Sequence, residues 1–151
     1  MRSQPLTVGQ DLLLRALAEF RFELRRFLHF SECAAVQAGL HPQQHQLLLQ
    51  VAGAPESVVV TIAYAADRLG LKHNSTVELV DRSEREGLLA RTSDTDDRRR
   101  AILRVTRKGK QVLGKLAGSH ARELNELAPR LASAMEHIAL HAHSGTGAEA
   151  Q

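Results

Sequence analysis

The 151 residues are 43% hydrophobic and 25% charged but only 3% aromatic, which suits one domain with an aliphatic core and excludes global disorder. A single cysteine excludes an internal disulfide, and no apolar run approaches the roughly 18–20 residues of a membrane span. The net charge of +3 decides nothing by itself, because what matters for a partner is where the charge lies.

Residues 1–10 lack the basic-then-apolar order of a signal peptide. With the lone cysteine, this sets the expectation of a soluble protein in a reducing cytoplasm. From about Asp11 to Ala38, Leu13, Leu17, Phe20, Leu24, Phe27 and Leu28 recur at spacings of three and four. Such a stripe predicts an amphipathic helix, with Arg21, Arg25 and Arg26 off the apolar side. A helix of this length invites a partner to cover that side. Gly39 stops it, and Pro42 suits the first turn of a second helix ending near Gly53.

Ala54-Pro55-Glu56-Ser57 is a loop, and Val58-Val59-Val60 is expected as a short strand. Thr61 caps a third helix that stops at Gly70, and a fourth follows over about Asn74–Glu86. Two short helices around a tight glycine turn make a helix-turn-helix. Leu88–Thr92 and Arg100–Val105 then alternate as half-buried strands, with Ser93–Asp97 as turn chemistry between them. A hairpin directly after a helix-turn-helix is a wing. Arg98, Arg99, Arg100, Arg104, Arg107, Lys108 and Lys110 cluster here with no acidic residue among them. Thr106 caps a helix running to about Leu127, and Pro129 starts a last one ending near His141. The Gly- and Ala-rich segment 144–151 is expected as a disordered tail. The predicted fold class is mainly α with a small β-wing.

Leu69-Gly70-Leu71 through Val77-Glu78-Leu79-Val80-Asp81-Arg82, and then Glu86-Gly87-Leu88-Leu89-Ala90-Arg91, resemble the MarR family of winged helix-turn-helix transcription regulators. So do Asp94-Thr95-Asp96-Asp97-Arg98-Arg99 and Val105-Thr106-Arg107-Lys108-Gly109. The order of glycine, strand, Asp-Arg-Arg turn, strand and Thr-x-x-Gly is the specific part. The chain departs from the family pattern at Tyr64, Ala65 and Ser83. A serine in place of the usual leucine at 83 predicts a void or a polar group needing a partner.

The resemblance implies a homodimer, with residues 1–39 and 106–143 as long dimerisation helices around a DNA-binding lobe of residues 40–105. It implies a sequence-specific regulator of the repressor type, reading a near-palindromic site in double-stranded DNA and released by a small-molecule effector. The fourth helix would enter the major groove. Its solvent face carries Asn74, Ser75, Glu78, Arg82 and Arg85, and Asn and Arg suit adenine and guanine edges. Lys72 and His73 stand at the helix start, where phosphates bind well, and Thr76 is a further candidate contact. At the wing the resemblance places Arg99 in the minor groove and Arg98 on the backbone. Asp97 and Asp94 would orient these arginines. An effector pocket would draw on Arg26, His29, Phe30 and the second helix.

Other readings stay open beside this one. A redox-responsive regulator would sense through Cys33, but the neighbouring Glu32 disfavours a reactive thiolate, so a packing role is expected. A winged helix used only for protein contacts would want an acidic or apolar recognition face. His41 with His45, and His137 with His141 and His143, have spacings that can hold zinc, yet solvent-facing or capping histidines are the commoner outcome, so neither a metal nor a cofactor is expected. No catalytic triad order, phosphate loop or helical His-Glu-x-x-His motif marks an enzyme.

Overall fold

The computed structural model describes residues 6–142, so the expected tail of 144–151 and His143 lie outside the described residues. The order is α1 (Val8–Gln37), α2 (Pro42–Ala52), α3 (Ile62–Leu69), α4 (His73–Arg85), β1 (Leu89–Ser93), β2 (Ala101–Val105) and α5 (Arg107–Ala142). Two compact units divide the chain: residues 31–119, and the beginning of α1 with the end of α5.

In the unit of residues 31–119 each helix starts where local chemistry satisfies its free amides. His41 caps α2: its Nδ1 accepts from Gln43 N at 3.2 Å, and Gln44 Oε1 accepts from His41 N at 3.0 Å. The capping reading of His41 therefore holds, and His45 is buried one turn on. Thr61 Oγ1 accepts from Tyr64 N at 3.2 Å to open α3. Gly70 closes α3 with φ +63°, a left-handed conformation that a Cβ would strain. That residue makes the tight turn into α4.

β1 and β2 pair antiparallel, with Leu89 opposite Val105 and Thr92 opposite Ile102. The expected strand at Val58–Val60 is reduced to one bridge, Thr61 with Ile102, and one bond from Leu103 N to Val60 O at 2.8 Å. A turn competes for it, since Val58 N donates to Pro55 O at 2.9 Å. The core gathers Leu47, Leu48, Val80, Leu89 and Leu103 with Ala35 and Ala65. Burying each leucine stabilises the unit by about 1.5–3 kcal/mol. Cys33 is exposed rather than packed, which corrects that expectation: its position on α1 faces away from Ala35 and the core.

The other unit pairs the first part of α1 with the last part of α5. Arg130 Nε lies 3.1 Å from Glu23 Oε1, and the Phe27 and Phe30 rings meet His120 edge-on at 5.9 and 5.5 Å. Those pairings make the two segments antiparallel. Ala16, Glu23, Leu127 and Ala134 are buried between them. The two expected C-terminal helices are one, because Pro129 sits inside α5 without ending it. A proline removes one backbone bond and costs about 3 kcal/mol in a helix interior. Good helix formers flank it, and burial of Leu127 and Ala134 on either side holds the helix through it.

Candidate nucleic-acid interface

The phase of α4 follows from what it buries. Thr76, Leu79, Val80 and Ser83 face inward, leaving Asn74, Ser75, Glu78, Arg82 and Arg85 exposed along the opposite side. Lys72 is the N-cap and contributes no side-chain bond, so the first-turn amides of His73, Asn74 and Ser75 lack a side-chain acceptor. A helix N-terminus in that state carries partial positive charge, and Lys72 and His73 stand exposed beside it.

The wing tip is built by carboxylates that bind backbone. Asp94 Oδ1 accepts from Asp96 N at 3.0 Å, and Asp97 Oδ1 accepts from Arg99 N at 3.0 Å. Asp94 N donates to Arg100 O at 3.1 Å, and Arg100 N donates to Asp97 O at 2.9 Å. Asp94 Oδ2 also lies 3.9 Å from the Arg100 guanidinium. The turn is thus fixed without using the guanidinium groups of Arg98 and Arg99. Both are exposed, and neither forms an ion pair among the described residues.

Two further connections set the wing against α4. Arg91, on β1, pairs with the Asp81 carboxylate and reaches Glu84 Oε2 at 3.0 Å, while its backbone N donates to Glu84 Oε1 at 3.3 Å. At the C-terminal end of α4, Lys108 Nζ donates to Glu86 O at 2.8 Å and Gln44 Nε2 to Glu86 Oε2 at 2.9 Å. Thr106 Oγ1 donates to Gly87 O at 2.7 Å and accepts from Gly109 N at 3.1 Å. A Cβ on Gly109 would come within 2.3 Å of Leu88 O and 2.6 Å of Val105 Cγ1. Here the Thr-x-x-Gly motif has its physical reason: the threonine caps α5 and ties it to Gly87, just beyond α4, and only glycine fits the approach.

The sequence model of the MarR family matches residues 38–100, which span the turn, α4 and the wing tip. That stretch of the chain is similar in sequence to the MarR family. A putative transcriptional regulatory protein for the hcr operon of Thauera aromatica is 29% identical over 121 residues, covering 77% of this chain and 71% of that one. CouR from Rhodococcus jostii RHA1, determined bound to p-coumaroyl-CoA, is 26% identical with a TM-score of 0.57 and covers 67% of this chain and 69% of its own. A variant of MepR from S. aureus, bound to an oligodeoxyribonucleotide, is 18% identical with a TM-score of 0.62 and covers 73% and 79% respectively. These matches support a MarR family transcription regulator, in a chain that is mainly helical with a two-stranded wing.

Within this MarR-like lobe, Lys72, His73, Asn74, Ser75, Glu78 and Arg82 stand together on or beside the exposed side of α4, and Arg98 and Arg99 at the wing tip. Thr76 does not join them. It is fully buried and its Oγ1 donates to Lys72 O at 3.0 Å. The helical phase places it with Leu79 and Val80, which corrects its reading as a DNA contact. The Asp94 and Asp97 carboxylates accept from the backbone amides of Asp96 and Arg99, and do not make the bonds expected of them to the Arg98 and Arg99 guanidinium groups. The departure at Ser83 is also resolved: its buried hydroxyl donates to Leu79 O at 2.8 Å, so no polar group is stranded.

Sequence reasoning missed Arg91 and Lys108. The signal for Arg91 was two acids three apart on α4, Asp81 and Glu84, ahead of a strand arginine. Lys108 counted as part of one basic field, whereas its ammonium is occupied at the end of α4. Among the described residues no group of three or more His, Cys, Asp or Glu side chains could hold a metal ion. His137 instead bonds Ser133 O at 2.7 Å. Among the described residues no helix is long and apolar enough to cross a membrane.

Proposed function

We propose that this protein is a MarR family regulator, a cytoplasmic homodimer that binds a near-palindromic DNA site as a repressor, with α4 in the major groove and the wing arginines beside it. The observation that carries the reading is the wing tip, where backbone-bound carboxylates leave Arg98 and Arg99 exposed and, among the described residues, without an ion pair. An anionic groove is the natural partner of two such guanidinium groups. The exposed side of α4 adds donors that suit base edges and phosphates, and MepR's bound oligodeoxyribonucleotide shows that relative engaging DNA. Glu78 on this side would accept from a cytosine amino group.

Dimerisation through residues 1–39 and 106–143 is supported by Leu14, Leu17, Leu28, Met135 and Leu140, all exposed in the single chain. Release by a small-molecule effector is supported by p-coumaroyl-CoA bound to CouR. The test is fluorescence anisotropy on the DNA upstream of the protein's own gene against scrambled duplex, across a salt series. Preference for the upstream duplex with steep salt dependence is expected, because each phosphate contact releases counterions. Absence of binding to either duplex at low salt would sink the reading.

A further inference from the structure

Behind the wing, the unit of residues 31–119 holds a cavity of about 510 Å³, well within the range of small-molecule sites. It exists because a strand fails to complete its pairing. From the bridge of Thr61 with Ile102, an antiparallel register would continue as Val60 against Leu103, Val59 against Arg104 and Val58 against Val105. Only the first step is made, by Leu103 N to Val60 O. The turn at Pro55 takes Val58 N and leaves a wedge between residues 58–60 and β2.

Hydrogen-bonding direction alternates along a strand. Leu103 donates toward Val60, so Val105 presents its N–H and C=O to the same side. The bond from Thr106 N to Leu88 O requires the same alternation on the β1 edge. Among the described residues Val105 has no backbone partner on the wedge side. Val51, Val58 and Val60 give apolar walls, and Arg104 and Lys110 line the same space. Neither cation forms an ion pair among the described residues. Glu56 is the acid in the lining, so the cations outnumber it.

We propose that this wedge binds a small amphipathic carboxylate, its apolar body against the valines and its carboxylate held by Arg104, Lys110 and the Val105 N–H. A buried apolar tail stabilises such a complex, and charge-assisted bonds fix the head. An occupant would join residues 58–60 to β2, the strand that leads from the Arg98–Arg99 turn. Its effect on DNA affinity would be reciprocal with the effect of DNA on its own binding. That coupling rests on the proposed function, whereas occupancy of the wedge does not and is measured without DNA.

The experiment is a titration of the ¹⁵N-labelled full chain with octanoate, and in parallel with octanol, followed by amide chemical shifts. Octanoate is expected to shift Val58, Val60 and Val105, with affinity about tenfold above octanol, the scale of one charge-assisted bond. The Arg104→Gln/Lys110→Gln variant is expected to lose at least about tenfold in octanoate affinity and little in octanol affinity. Glu56→Gln is expected to tighten octanoate binding. Shifts confined to other residues, equal affinity for the two probes, an indifferent double variant, or no shift at millimolar octanoate would each overturn the proposal.

Discussion

Leu47 and Leu48, in the unit of residues 31–119, are fully buried, whereas Leu28 and Leu140, in the helical unit, are 50% and 69% exposed. The first unit closes its core within one chain: its helices are capped, its wing is tied to α4 by Arg91, and α5 is tied to the end of α4 by Thr106 and Lys108. The helical unit closes only a narrow seam. Ala16, Glu23, Leu127 and Ala134 are covered, and the leucines outside that seam are not. The difference teaches that one sequence can hold a self-sufficient lobe and an apolar surface whose partner is elsewhere. Under the proposed function that partner is a second copy.

The sharpest way to break this comparison is to damage the closed core. Leu48→Ala is expected to destabilise the lobe by about 2–5 kcal/mol, read as a lower urea midpoint. A cost under about 1 kcal/mol would mean that the core is looser than its burial implies. Gly109→Ala is expected to cost about 1–3 kcal/mol, since the new methyl meets Leu88 O and the strand before α5 must shift. In the helical unit, Leu28→Glu is expected to weaken self-association by more than about tenfold in sedimentation velocity. Unchanged association would move the interface away from α1. The smallest effect is reserved for Arg91→Ala. Its partners are partly exposed, so about 0.2–1 kcal/mol of stability is expected to be lost. DNA affinity should fall further than that, because the wing is then free to turn relative to α4.

Much of the fold was legible in the sequence. The 3.6-residue stripe in α1, the threonine at 61, the glycine at 70 and the alternation in β2 each report a local rule. What escaped was decided by competition or by distance. Val58–Val60 has the composition of a strand, but a turn at Pro55 takes its amide. Pro129 looks like a helix start, yet burial on both sides outweighs the lost bond. Thr76 was chosen by its polarity, although its spacing from Leu79 and Val80 already placed it inside. The ties from Arg91 to Asp81 and from Lys108 to Glu86 join separate elements, so no window of sequence displays them. Asp94 and Asp97 were legible as turn residues whose carboxylates bind backbone amides, but the bonds also expected from them to the Arg98 and Arg99 guanidinium groups are not made.

The most direct test of the central claim compares the unaltered chain, Arg99→Ala and Arg107→Ala on one operator-containing duplex by anisotropy over a salt series. Arg107 is exposed but lies beyond the wing strands at the start of α5. The account predicts tight, salt-sensitive binding by the unaltered chain. It predicts a loss of about 1–3 kcal/mol for Arg99→Ala, and a change within about 0.5 kcal/mol for Arg107→Ala. Equal losses in the two variants, or no binding by the unaltered chain at low salt, would contradict it.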